Sequence, residues 1–352
     1  MMKLTNFSVD GFARNITAGN YLEDFLIAAI TSFLFIRFFL YVTGFPQLGG
    51  GTFHIAHMLW GGLLMFAAIV VLLAFLNRPS YTFAAILGGI GFGAFVDEIG
   101  KFITRDNDYF FQPSIAIIYV IFIGVYLIIK ALQTRQKYSQ KEYLINAIEV
   151  IKEAVQNDMD AHEKALARHY LAMCDPKDPF VKDLKDMLEN AAHVHRTPTT
   201  LPSLIKRKLH NFYLLLVNKR WFVKATLVVF GLSALLTLTS AVILGYGLES
   251  NRVMEFFHPE DLSFSSLAQI ISSTVSAVLV LLGSMVIFRS RLKGFRLLKY
   301  SVLISIFFTQ VFAFYRDELS ALVGLIWYLF LFTIIQYYIN EEEGLRHEPL
   351  RA

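Results

Sequence analysis

The side chains in this sequence best suited to chemistry are two histidines, two carboxylates and two cations. His54 and His57 open an apolar run, three positions apart, a spacing that puts both imidazoles on one face of a helix. Asp97 and Glu98 close the next apolar run, Lys101 follows one turn later, and Arg37 lies inside the first run. Two imidazoles on one helix, with a carboxylate from a neighbouring helix, match the donor set of a divalent metal, zinc first, with a fourth position open to water. Such a metal makes bound water acidic, and the second carboxylate can then serve as general base. On this reading His54, His57 and Glu98 are metal ligands and Asp97, Glu98 and Lys101 form the catalytic group. Lys101 or Arg37 would hold an anionic headgroup, which predicts hydrolysis of a lipid or lipid-linked substrate. The same residues fit two other roles. They could form a transport or proton-relay site, or a polar cluster in which Arg37 and Lys101 neutralise the two carboxylates.

The elements that must position these groups are membrane helices. Of 352 residues, 55% are hydrophobic and only 17% charged, and mean hydropathy is +0.52, far from the composition of a soluble domain. The expected fold is all-α and polytopic, with eight spans at Phe25–Thr43, Phe53–Leu76, Tyr81–Lys101, Pro113–Leu132, Trp221–Gly245, Ser265–Phe288, Leu297–Tyr315 and Leu319–Ile339. Each is long enough to cross about 30 Å of hydrocarbon. His57 falls one turn inside the second span, and Asp97 and Glu98 fall about 24 Å along the third by helical rise, so both sets reach a similar outer depth. Arg105, Asp106 and Asp108 in the next loop, and Arg316, Asp317 and Glu318 at the turn between spans seven and eight, lie on the same side. With Arg37 they are the expected substrate-binding residues.

Orientation follows from Lys and Arg. Lys206, Arg207, Lys208, Lys219 and Arg220, and the later set Arg289, Arg291, Lys293, Arg296 and Lys299, mark two connections as cytoplasmic. The acidic connection with Glu249, Glu255, Glu260 and Asp261 and the uncharged Gly44–Thr52 read as external. Both termini are then cytoplasmic, in a bacterial inner membrane. The expected organisation is a cytoplasmic segment 1–24, a four-helix membrane half 25–132, a cytoplasmic helical insert 133–220, a second half 221–340 and a tail 341–352. Ser139 and Glu142 form a capping box at the start of the insert, a second helix runs to about Cys174, and Asp175–Pro179 separates it from a third. The insert is expected to stabilise the chain or to dock a cytoplasmic protein. The linker Thr197–Pro202 leads to an amphipathic stretch, Ser203–Val217, suited to the inner headgroup layer.

The net charge of +4 comes from the inner-face connections and points to the bilayer and its anionic lipids as partners, with no nucleic acid. The single cysteine, Cys174, excludes an internal disulfide or a CxxC pair. Gly89 and Gly93 form a GxxxG that predicts close helix packing. Phe92–Ile99 is faintly echoed by Phe312–Leu319, which opens a duplication of the two halves. The run Gly91–Thr104, continuing through Asp106–Phe111 to Pro113, resembles a stretch of an uncharacterised family of bacterial multi-pass membrane proteins, and His54–Gly61 is similar to their preceding span. The resemblance implies a bacterial cytoplasmic membrane and no particular activity. The chain departs from the seven-pass zinc hydrolases of the ceramidase and adiponectin-receptor type, because spans five to eight hold no histidine.

Overall fold

The computed structural model describes residues 13–44, 56–106, 108–133, 138–155, 159, 161–190, 228–235, 238–239 and 264–342. All regular structure among them is helical, and six helical runs are long and apolar enough to cross a membrane. The chain divides into two compact units, 1–109 with 122–198, and 110–121 with 199–351.

In the first unit, α1 (Ala18–Thr43), α2 (His57–Ala74) and α3 (Arg78–Asp97) form the membrane core around the central α3. Glycine lets them approach. A methyl on Gly89 or Gly93 would strike the carbonyls of Phe25 and Ala29 on α1, and one on Gly91 would lie 2.5 Å from the Gly61 carbonyl of α2. The GxxxG pair thus packs against α1, and Gly91 serves α2 on the other side. Helix α1 stops at Gly44, which takes the left-handed conformation at φ 71°, where an L side chain is strained. Helix α3 starts with proline in its first turn, where the missing N–H costs nothing.

The third expected span is not one helix. It is interrupted at Glu98 (φ −88°, ψ 10°) and resumes as α4 (Ile99–Ile103). Helix α5 (Ser114–Gln133) follows, its later part packing Phe122 against Phe33 and Phe92 with ring centres 6.0 and 6.5 Å apart.

The insert contributes α6 (Gln140–Val155), α7 (Ala161–Ala172) and α8 (Pro179–Asn190). The capping box forms as expected: the Ser139 amide donates to Glu142 Oε2 at 2.8 Å and the Glu142 amide to Ser139 Oγ at 3.2 Å. Ala147, Ile151, Leu171, Val181 and Leu188 fill the small core. The trio is fastened to the membrane helices. Ahead of α1, Arg14 pairs with Glu142 at 2.6 Å and the Ile16 amide donates to Asn146 Oδ1. At the α2–α3 turn, Lys152 Nζ donates to the Leu76 carbonyl, and the Arg78 amide donates to the buried Glu153 at 3.1 Å. Glu153 therefore supplies the acceptor that the first turn of α3 lacks.

The second unit holds α9 (Phe264–Val286), α10 (Arg291–Ile304), a π turn (Ser305–Thr309), α11 (Gln310–Asp317), a 3₁₀ turn (Glu318–Ala321) and α12 (Leu322–Glu342). The last membrane-compatible run, Arg291–Ile339, counts 49 residues and doubles back at Glu318, whose φ is 48°, because Phe295 near its start stacks on Tyr338 near its end at 5.3 Å. Leu298, Val302, Leu331 and Ile334 form the core of this hairpin with Val280 of α9 and Phe230. Its polar seam is uncharged: Ser276 Oγ meets Ser301 Oγ at 2.9 Å and Ser305 Oγ at 2.8 Å, and Thr309 donates to Ser272. Arg291, Lys293 and Arg296, expected in a connection, instead occupy the first turns of α10, where Arg291 pairs with Glu342 at 2.8 Å.

Several expectations fall outside the described residues: His54, the Gly44–Thr52 connection beyond its first residue, most of the fifth span, the acidic connection, the linker at 197–202, the amphipathic stretch 203–217 and both termini.

Candidate functional site

The interruption at Glu98 builds the site. It lets two consecutive carboxylates approach one imidazole at the first residue of α2. His57 Nε2 lies 2.8 Å from Asp97 Oδ2, and His57 Nδ1 lies 2.8 Å from Glu98 Oε1. The His57 backbone amide also donates to Glu98 Oε1 at 3.1 Å, so Glu98 caps the start of α2. An ionised carboxylate only accepts hydrogen bonds. With Asp97 and Glu98 both ionised, both ring nitrogens therefore donate and His57 carries the positive charge.

Cations close the network. Arg37 of α1 sets Nε 2.5 Å from Asp97 Oδ1 and donates a second bond to the Asp97 carbonyl at 3.1 Å. Lys101 of α4 stands 3.4 Å from Glu98 Oε1. Asp97 is 0% and Glu98 1% exposed, with Arg37 at 8%. The Tyr109 hydroxyl donates to Asp97 Oδ2 at 2.7 Å, and its ring lies under the Arg37 guanidinium at 4.3 Å and near Lys101 Nζ at 5.2 Å. Burial pushes the Tyr109 phenol well above its ordinary pKa, and the Asp97 charge adds to this, so the hydroxyl stays protonated and remains a donor.

Five of the residues singled out from sequence thus meet: Arg37, His57, Asp97, Glu98 and Lys101. Arg105 and Asp106 are exposed and stand apart from the network, and the Asp108 amide bonds locally to Thr104 Oγ1 at 2.8 Å. In the second unit Arg316 and Asp317 clasp each other through two bonds, at 2.8 and 2.9 Å, on an exposed turn beside Glu318. The echoed segments therefore hold their aspartates differently: Asp97 is buried among three side chains, while Asp317 pairs with its neighbour in the chain. Tyr109 was missed from sequence. Its only signal was an aromatic hydroxyl in the loop directly following a charged span.

A metal here would draw on His57, Asp97 and Glu98. Both His57 nitrogens and three of the four carboxylate oxygens already have partners, and Glu98 Oε2 is buried with none. Among the described residues no group of three His, Cys, Asp or Glu side chains is arranged to hold a metal.

The fold and its polar site are those of an all-helical chain compatible with a multi-pass membrane protein. No family profile, no curated protein and no solved structure matches it.

Proposed function

We propose that this chain is a carrier-type protein of the bacterial cytoplasmic membrane, and that the network around Asp97 is its outer closure. The observation that supports this is a closed set of five ionisable side chains joining α1, α2 and the α3–α4 break, capped by Tyr109. Buried ion pairs are weak contributors to stability, and ionisable groups within spans most often belong to transport paths or switches. A network whose bonds to Arg37 and His57 cross between elements can open there and leave each element intact.

In this reading there are eight spans. The 49-residue hairpin supplies the last two, and the fifth covers 221–245, of which 228–235 is helical. The network end of α2 faces outward by the positive-inside rule, and the insert and both termini are cytoplasmic.

The test uses spin labels at Phe39 and Leu59, exposed positions on α1 and α2 near the network end, in the reconstituted protein. A carrier gives two distance populations, shifted to the longer one by Arg37→Gln. A single distance that Arg37→Gln leaves unchanged refutes the carrier and returns the network to a structural tie. A second reading, a zinc-dependent hydrolase of a lipid substrate, is favoured by the unpartnered Glu98 Oε2. It requires His57 to release a ring nitrogen. About one equivalent of divalent metal in protein purified without chelator, lost in His57→Ala, would support it.

A further inference from the structure

The helix α6 presents three faces. Glu142, Asn146 and Glu153 recur at i, i+4 and i+11 and meet the ends of the membrane helices, at Arg14 and Ile16 ahead of α1 and at Arg78 opening α3. Ala147, Val150 and Ile151 turn into the core shared with α7 and α8. The third face, Lys141, Ile145, Ile148 and Val155, is exposed, with Ile145 at 50%, Ile148 at 39% and Val155 at 76%.

Two facts say what covers it. The anchors at Glu142 and Glu153 are about 16 Å apart along the helix by rise per residue, and both grip helix ends on the same side of the first unit. A helix tied at two such points runs along the membrane surface at the level of the headgroups, not away into water. Its exposed face is also that of an interfacial helix, an apolar stripe with lysine at the margin. Lys141 forms no ion pair among the described residues, and Lys152, which helical spacing places between Lys141 and Ile145 on the same face, is tied to the carbonyl of Leu76 just past the end of α2.

We propose that the Lys141–Ile145–Ile148–Val155 face of α6 is a lipid-contact surface, seated in a headgroup layer of anionic lipid beside the span ends. This assigns α6 to the bilayer surface, a role that the sequence suggested only for Ser203–Val217. It needs the spans to cross a bilayer and does not depend on the carrier reading.

The test is quenching in the full-length protein with Cys174 replaced by alanine. A single cysteine is introduced in place of Ile148, of Ile145 as a repeat, or of the exposed Asp186 on α8 as a water reference, and carries an environment-sensitive fluorophore. The protein is reconstituted in phosphatidylcholine vesicles with and without phosphatidylglycerol. The expected result at positions 148 and 145 is loss of most fluorescence to nitroxide-labelled lipid and little to aqueous iodide, with the reverse at position 186. Adding Lys141→Glu lowers the lipid quenching in the vesicles that contain phosphatidylglycerol. Iodide quenching at 148 equal to that at 186 overturns the proposal, because the face is then in water. Protection from both quenchers overturns it too, because protein then covers the face.

Discussion

Replacing Asp97 by asparagine tests the network most directly, because the substitution keeps the side chain's shape and removes only its charge. Arg37, Lys101 and the charged His57 contribute three positive charges and Asp97 and Glu98 two negative, so the set sums to +1. Asp97→Asn leaves it at +2, and the newly uncompensated charge falls on Arg37, which is 8% exposed and donates two bonds to Asp97. Breaking one side of a buried pair costs about 3–5 kcal/mol. For a chain of this size that lowers Tm by about 4–7 °C, read by scanning fluorescence in detergent at pH 7. The double variant Arg37→Gln with Asp97→Asn restores the original net charge and should recover most of the loss, because two neutral amides can bond where the ions did. Raising the salt concentration should change neither result much, since buried pairs are poorly screened. A fall of less than about 1 °C for the single variant, under 1 kcal/mol on the same scale, or a double variant as unstable as the sum of the singles, would refute the claim that Arg37 and Asp97 form a mutually dependent buried pair.

The remaining predictions concern the helices that carry the network. Gly91→Leu should abolish recovery of folded protein on size exclusion, because even a methyl there meets the Gly61 carbonyl at 2.5 Å, whereas Gly62→Ala, with nothing within 4 Å, should be neutral or stabilising by up to about 1 kcal/mol. Glu153→Ala removes the acceptor at the start of α3 and should cost about 1–2 kcal/mol, with Glu153→Gln retaining most of it; chemical unfolding in detergent separates the two. The hydrogen bond from Arg14 holds the Glu142 carboxyl down at about 2, against an ordinary 4.5. The folded-state value is depressed, so the contact stabilises fully above about pH 4.5 and is lost as the pH falls towards about 2. Protease cleavage near Arg14 should accelerate across that window and become independent of pH in Glu142→Gln.

The network was legible in the sequence because charge inside an apolar run is costly enough to require a reason. Arg37, His57, Asp97, Glu98 and Lys101 stand out on that ground alone, and equal helical depth placed four of them together. Tyr109 did not stand out, since one tyrosine among 16 Tyr and 33 Phe carries no mark until its hydroxyl is seen against Asp97. The interruption at Glu98 was hidden for a similar reason: no proline announces it. The apolar run reads as continuous helix through Lys101, while the capping of α2 by Glu98 holds the chain in a break. Lys152 and Glu153 were the least legible. On an amphipathic helix they read as solvated charge, and their partners Leu76 and Arg78 lie at the earlier α2–α3 turn, which local periodicity does not reach.

The two places where sequence reasoning fell short lie at opposite ends of one hairpin. At one end of α2 and α3, Glu98 receives the first amide of α2; at the other, Glu153 receives the first amide of α3. The two ends are about 27 Å apart over the 18 residues of α2, close to the thickness of hydrocarbon. Between them the helices touch through glycine against backbone, a contact with little room to shear. A rotation of α2 that released His57 from Asp97 and Glu98 would therefore be felt at the α2–α3 turn, where Lys152 and Glu153 hold it. Weakening that grip by Glu153→Ala should shift the distance between labels at Phe39 and Leu59 in the same direction as Arg37→Gln, although the substitution lies a membrane's width away. If it lowers stability and leaves that distance unchanged, the two ends are independent and the insert is an anchor only.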